Sequence, residues 1–110
     1  MEKITIENLK EKIVSMVTSI LLGKGVTDIS TKPEDPVYRK NNLLFYTPKR
    51  PQGVILKIYK KKEEGKFHVT IEPNSCDIIS SEITISNVES GCKRVAENIA
   101  EFFDSLIILN

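Results

Sequence analysis

Val54-Ile55-Leu56-Lys57-Ile58-Tyr59-Lys60-Lys61-Lys62-Glu63-Glu64-Gly65-Lys66-Phe67-His68-Val69-Thr70-Ile71 is the stretch that decides the fold. Apolar residues recur at every second position in Val54, Leu56 and Ile58, and again in Phe67, Val69 and Ile71. That is the period of a strand with one buried face. Between the runs, Glu63-Glu64-Gly65 has the polar, glycine-containing chemistry of a turn, so the spacing predicts a β-hairpin over 54–72. Regular pleating puts Ile55, Lys57, Tyr59 and Lys61 on the other face of one strand. Lys66, His68, Thr70 and Glu72 share that face on its partner.

Outward from the hairpin, Leu43 to Thr47 reads as a strand that enters through a turn from Pro48 to Gly53, which holds Lys49-Arg50. After the Pro73-Asn74-Ser75 turn, Ser81, Ile83 and Ile85 suggest a further strand, giving a meander over about 43–86. Residues 26–42 are polar, with Pro33 and Pro36 around Glu34-Asp35. This is a long connection unless Val26 to Ser30 forms an edge strand.

Beyond the sheet the period changes to that of a helix. Ile6, Leu9, Ile13, Met16 and Ile20 alternate steps of three and four, with Val17 and Leu21 widening the stripe. A helix is expected over about 5–22, with Thr5 at its amino end, Glu7 in its first turn and Gly23 or Gly25 closing it. Val88, Cys92, Val95, Ile99, Phe102, Leu106 and Leu109, with Ala96 and Phe103 beside them, predict a second helix over about 88–109, capped by Asn87.

The fold class is therefore α+β, a two-layer sandwich in the order α-(β)-β-β-β-α. An antiparallel meander of three to four strands is expected, with both terminal helices packed on one face, since such sheets bury one side and wet the other. The 110 residues fit one domain over 1–110, large enough to bury roughly two-thirds of the unfolded surface. With 40% hydrophobic and 28% charged residues the composition is that of a globular protein. The apolar run from Ile13 to Leu22 is broken by Ser15, Thr18 and Ser19. It is too short and polar for a membrane span or a signal peptide, so an intracellular, cytoplasmic location and no membrane partner are expected.

Charge is distributed unevenly. Between Arg39 and Lys66 nine bases face two acids, a local balance of +7, while the remainder sums to −6 and the whole to +1. A basic middle between acidic flanks points to an anionic partner. Lys49, Arg50, Lys57, Lys60, Lys61, Lys62 and Lys66 are the expected contacts, and Tyr59 the best stacking platform, with Tyr46 and His68 as further candidates. The bland alternatives are solubilising turn lysines and a cross-strand partner for Tyr59 in His68 or Thr70.

Catalytic chemistry has no residue to rest on. Glu34-Asp35 and Glu63-Glu64 read as hydrophilic turn residues, His68 has no partner that the sequence places beside it, and phosphate-loop, dinucleotide and H-E-x-x-H motifs are absent. Cys76 and Cys92 form no C-x-x-C pair and read as reduced, largely buried thiols; no metal site and no cofactor is expected.

The order of helix, antiparallel strands and closing helix, with Lys93-Arg94-Val95-Ala96 followed by Ala100, loosely resembles the double-stranded RNA-binding domain. Glu89, Glu97, Glu101 and the long insert before the sheet depart from that family, so none of its RNA-binding residues is carried over. The expectation is a non-enzymatic binding protein whose basic hairpin contacts nucleic acid, RNA or single-stranded DNA. The rival is an adaptor or inhibitor that docks on an acidic protein through the same hairpin or through the apolar tail Leu106-Ile107-Ile108-Leu109, which also offers a homodimer contact through the C-terminal helix.

Overall fold

The hairpin expected over 54–72 forms the centre of the sheet. The computed structural model describes the backbone of residues 4–35, 39–48, 50–73 and 78–108. Its elements are α1 (Ile6–Leu22), β1 (Ser30–Asp35), β2 (Arg39–Thr47), β3 (Arg50–Lys60), β4 (Lys66–Pro73), β5 (Ile79–Thr84) and, after a short 3-10 turn over Ile85–Asn87, α2 (Val88–Ile108). The strands lie in sequence order in one antiparallel meander, β1-β2-β3-β4-β5, whose two edges stay open. The chain is an α+β fold with helices before and after the sheet.

Five strands replace the three or four expected. The additional pairing lies in the polar segment, where β1 runs from Ser30 to Asp35 rather than from Val26 to Ser30, and β2 begins at Arg39 rather than Leu43. Ser30-Thr31-Lys32-Pro33-Glu34-Asp35 contains no aliphatic alternation because an edge strand has little core to face. Pro33 is tolerated there, since an edge residue need not donate to a second neighbour. Val26 instead enters the core, with 6% of its surface exposed.

The turn expected over Pro48 to Gly53 is tighter. Thr47 pairs with Arg50, Tyr46 with Gly53, and the register shift between these pairs absorbs Pro51 in a bulge at the start of β3. Gly53 belongs to the strand. A β-carbon there would fall 2.7 Å from the Phe45 carbonyl oxygen and 2.8 Å from Leu44 Cδ1, so only glycine lets β2 and β3 approach at this point.

The helix ends follow local chemistry. Thr5 Oγ1 accepts from the Asn8 N–H at 3.1 Å. At the other end Gly25, at φ +85°, takes the left-handed conformation, and the Val26 N–H returns to the Leu21 carbonyl at 2.9 Å. Gly23 remains right-handed. The second helix begins at Val88 as expected, with a 3-10 turn over Ile85–Asn87 leading into it. Asn87 is not its first cap but reaches back, its Oδ1 accepting the Thr84 N–H at 2.7 Å and the Thr84 hydroxyl at 3.1 Å.

Both helices cover one face of the sheet. Phe45, Val54, Leu56, Ile58, Phe67, Val69, Ile71 and Ile83 are buried on that face. They meet Leu9, Ile13, Val17 and Leu21 of α1 and Cys92, Val95, Ala96, Ile99, Ala100 and Phe103 of α2. The buried line on α1 thus runs at strict four-residue steps, with Ile6, Met16 and Ile20 half-covered beside it. The first helix rests chiefly on α2 and touches β3, whereas α2 rests on α1, β5 and β4. Lys12 and Glu89 form an ion pair between the helices. The other face of the sheet carries neither helix.

Candidate nucleic-acid interface

The register fixes which side chains share the bare face. Lys32, Leu44, Ile55 and Glu72 form one row across β1 to β4; Lys57, Thr70 and Ser80 form another, and Tyr59, His68 and Glu82 a third. Lys66 and Thr84 close the hairpin end. Tyr59 is the most open aromatic of this face among the described residues, with 50% of its surface exposed. It lies directly opposite His68, the ring centroids 6.4 Å apart and the planes inclined by 26°.

The expected lysine cluster is divided. Lys57, Lys61 and Lys66 lie on or beside the Tyr59 face, but Lys60 pairs with Phe67 and so shares the helix-covered face, exposed at its rim. Lys62 is exposed in the turn that follows β3. Arg50 starts β3 at the opposite end of the hairpin, and only its backbone is described. Lys49, Cys76 and the side chains of the Leu106 to Leu109 tail lie outside the described residues.

Three of the bases are held by carboxylates. Lys57 Nζ is 2.7 Å from Glu72 Oε2, Lys61 Nζ 2.5 Å from Glu82 Oε2, and Lys66 Nζ 2.7 Å from Glu63 Oε2. The hydrogen bond from Lys61, reinforced by its charge, holds the Glu82 carboxyl below its ordinary pKa. The hydrogen bond to Glu63 likewise raises Lys66. The Lys61 and Lys66 pairs are open to water and weakly held, so a phosphate that approaches can displace the carboxylate, whereas Lys57 and Glu72 are largely covered. Lys60 and Lys62 form no ion pair among the described residues.

Two participants of this face carry a weak signal in the sequence. Lys32 places its ammonium 5.1 Å from the Tyr46 ring centroid, a second cation and aromatic unit at the β1 side of the face. It sits in the segment that reads as loop, and only the β1 pairing brings it here. Glu82 lies across β4 from the lysine hairpin, a relation that depends on the register of two loops.

Among the described residues no three His, Cys, Asp or Glu side chains converge on a common point. Cys92 is buried in α2, its thiol pushed up to about 11 by burial. No described helix is long and apolar enough to cross a membrane. Comparison with protein-family models, curated proteins and solved structures returns no match.

Proposed function

We propose that the protein binds single-stranded nucleic acid, RNA or DNA, across the bare face of its sheet. The observation that carries this reading is the exposed Tyr59, seated beside His68 on a face no helix covers, with Lys57, Lys61 and Lys66 around it. A base stacked on an exposed ring contributes about 1–3 kcal/mol whatever its identity. The lysines meet the backbone that runs past it, releasing counterions. Lys60 and Lys62 supply charge at the hairpin end, while Lys49 and Arg50 belong to the proposed contact by sequence.

The test is titration of labelled oligouridine and oligothymidine at two salt concentrations. Binding with a steep salt slope is expected, with affinity lowered about tenfold by Tyr59→Ala and the slope flattened when Lys60, Lys61 and Lys62 become alanine. Absence of binding to either strand at low salt sinks the proposal.

One observation favours a second reading, docking on an acidic protein surface. Glu72, Glu82 and Glu63 already hold Lys57, Lys61 and Lys66, which is the geometry that a partner's carboxylates would reproduce. Under that reading Tyr59→Ala leaves nucleic-acid titrations unchanged because there is no binding to lose.

A further inference from the structure

The two edges of the sheet are guarded unequally. The β1 edge carries Lys32, Pro33 and a register shift between Pro33 and Asp35, three features that discourage pairing with another strand. The β5 edge carries none of them. Ile79-Ser80-Ser81-Glu82-Ile83-Thr84 pairs with β4 in unbroken register, holds no proline and has one charge, Glu82, already engaged by Lys61. Around it Ile78, Ile79 and Ile85 are exposed, Ile79 by 40%.

The ladder shows which backbone groups on β5 are free. The Ile85 N–H bonds the Gly65 carbonyl at 3.0 Å, which makes 85 and 65 a hydrogen-bonded pair in the β4–β5 register. In an antiparallel ladder such pairs alternate, so Ile83, Ser81 and Ile79 bond β4 while Thr84, Glu82 and Ser80 direct their N–H and C=O groups away from the sheet. The Thr84 N–H is met by Asn87. Ser80 and Glu82 therefore offer two donors and two acceptors along the open edge.

We propose that β5 pairs antiparallel with β5 of a second copy, joining two five-stranded sheets into one. A two-fold centred on Ser81 fits the edge best. Ser80 then stands opposite the second copy's Glu82 in a hydrogen-bonded pair, and Glu82 opposite the second copy's Ser80, which satisfies all four outward groups. Each Glu82 avoids its own twin, a contact that would place like charges face to face. On the helix side Ile79 stands opposite the second copy's Ile83, which its own α2 already covers, so the pairing rests on the backbone bonds. Beside this edge runs a cleft of about 480 Å³, lined by Ile79 to Glu82, by Asn87 and, on α2, by Ser90, Gly91, Arg94 and Asn98, which keeps the strand edge separate from the helix. The inference does not rest on nucleic-acid binding, although it would place two Tyr59–His68 units on one continuous face.

Sedimentation velocity from micromolar to millimolar concentration tests it. A monomer–dimer equilibrium is expected. Ser80→Pro removes the one N–H that points outward at that position and leaves the β4 ladder intact, so it is expected to weaken association about tenfold or more with the thermal transition preserved. A second variant tests the register in a Cys76→Ser background. Ser81→Cys places two thiols at a non-hydrogen-bonded pair, about 4.5 Å between Cα atoms, within disulfide reach. Ser80→Cys leaves its twins roughly 7–8 Å apart, beyond easy reach. Mild oxidation should link Ser81→Cys and not Ser80→Cys. A monomer at every concentration, or equal linking of both variants, overturns the proposal.

Discussion

A β-carbon on Gly65 would sit 2.5 Å from Cδ1 of Ile85, so any side chain at position 65 makes the exposed Ile85 side chain turn aside. Gly65 also stands at φ +78°, and its carbonyl takes the Ile85 N–H. One glycine thus closes the β3–β4 turn and anchors the exit from β5.

Gly65→Ala is expected to destabilise the fold by about 1–2 kcal/mol, chiefly from the left-handed backbone, with a smaller part from turning the exposed Ile85 aside. The double variant with Ile85→Ala should recover that smaller part and leave the backbone part. Urea unfolding of the three proteins separates the two.

Asn87→Ala removes the acceptor of the Thr84 N–H and is expected to cost about 1 kcal/mol. Asn87→Asp keeps an acceptor at that place and adds negative charge near a helix start, so it should retain most of the stability. Guanidinium midpoints at constant slope decide between them.

The Lys61–Glu82 pair makes a pH prediction. The folded pKa of Glu82 lies below its unfolded value because Lys61 bonds the carboxylate. Its stabilisation is therefore present above the unfolded carboxylate pKa and is lost as the pH falls through the folded one. Both groups are well exposed, so the effect is small and shrinks with salt. In an NMR titration, Lys61→Ala should move the Glu82 midpoint upward; an unmoved midpoint contradicts the pairing.

Cys92 is expected to resist alkylation. With its thiol pushed up to about 11 by burial, the native protein near pH 8 should react about a hundredfold more slowly than an unfolded chain. The sign for stability follows: the unfolded thiol ionises first, so this contribution is full below the ordinary thiol pKa and lost as pH rises toward about 11. Mass spectrometry after pulsed iodoacetamide, with and without urea, reads the protection.

The central strands were legible in the sequence because one of their faces meets the core. Val54, Leu56 and Ile58 alternate with residues that face water, and burial follows that alternation. The edge strand β1 was not legible, since Ser30 to Asp35 carries no aliphatic residue to mark a period. The basic block was legible as charge but not as geometry. Alternation alone sets Lys60 on the same side as Ile58 and opposite Tyr59, yet contiguous lysines invite a reading as one cluster. The pairing of Lys61 with Glu82 crosses an intervening strand, and residue spacing along the chain carries no information about it.

The reliance of α1 on α2 also bears on how the protein is made. The line Leu9, Ile13, Val17 and Leu21 leaves the ribosome long before its principal cover, because α2 is translated after the entire sheet. Until then that apolar helix has little to pack against, and contacts this distant in sequence form late. Nascent chains halted before Val88 should therefore associate with chaperones, and the domain should acquire protease resistance in one step when α2 emerges.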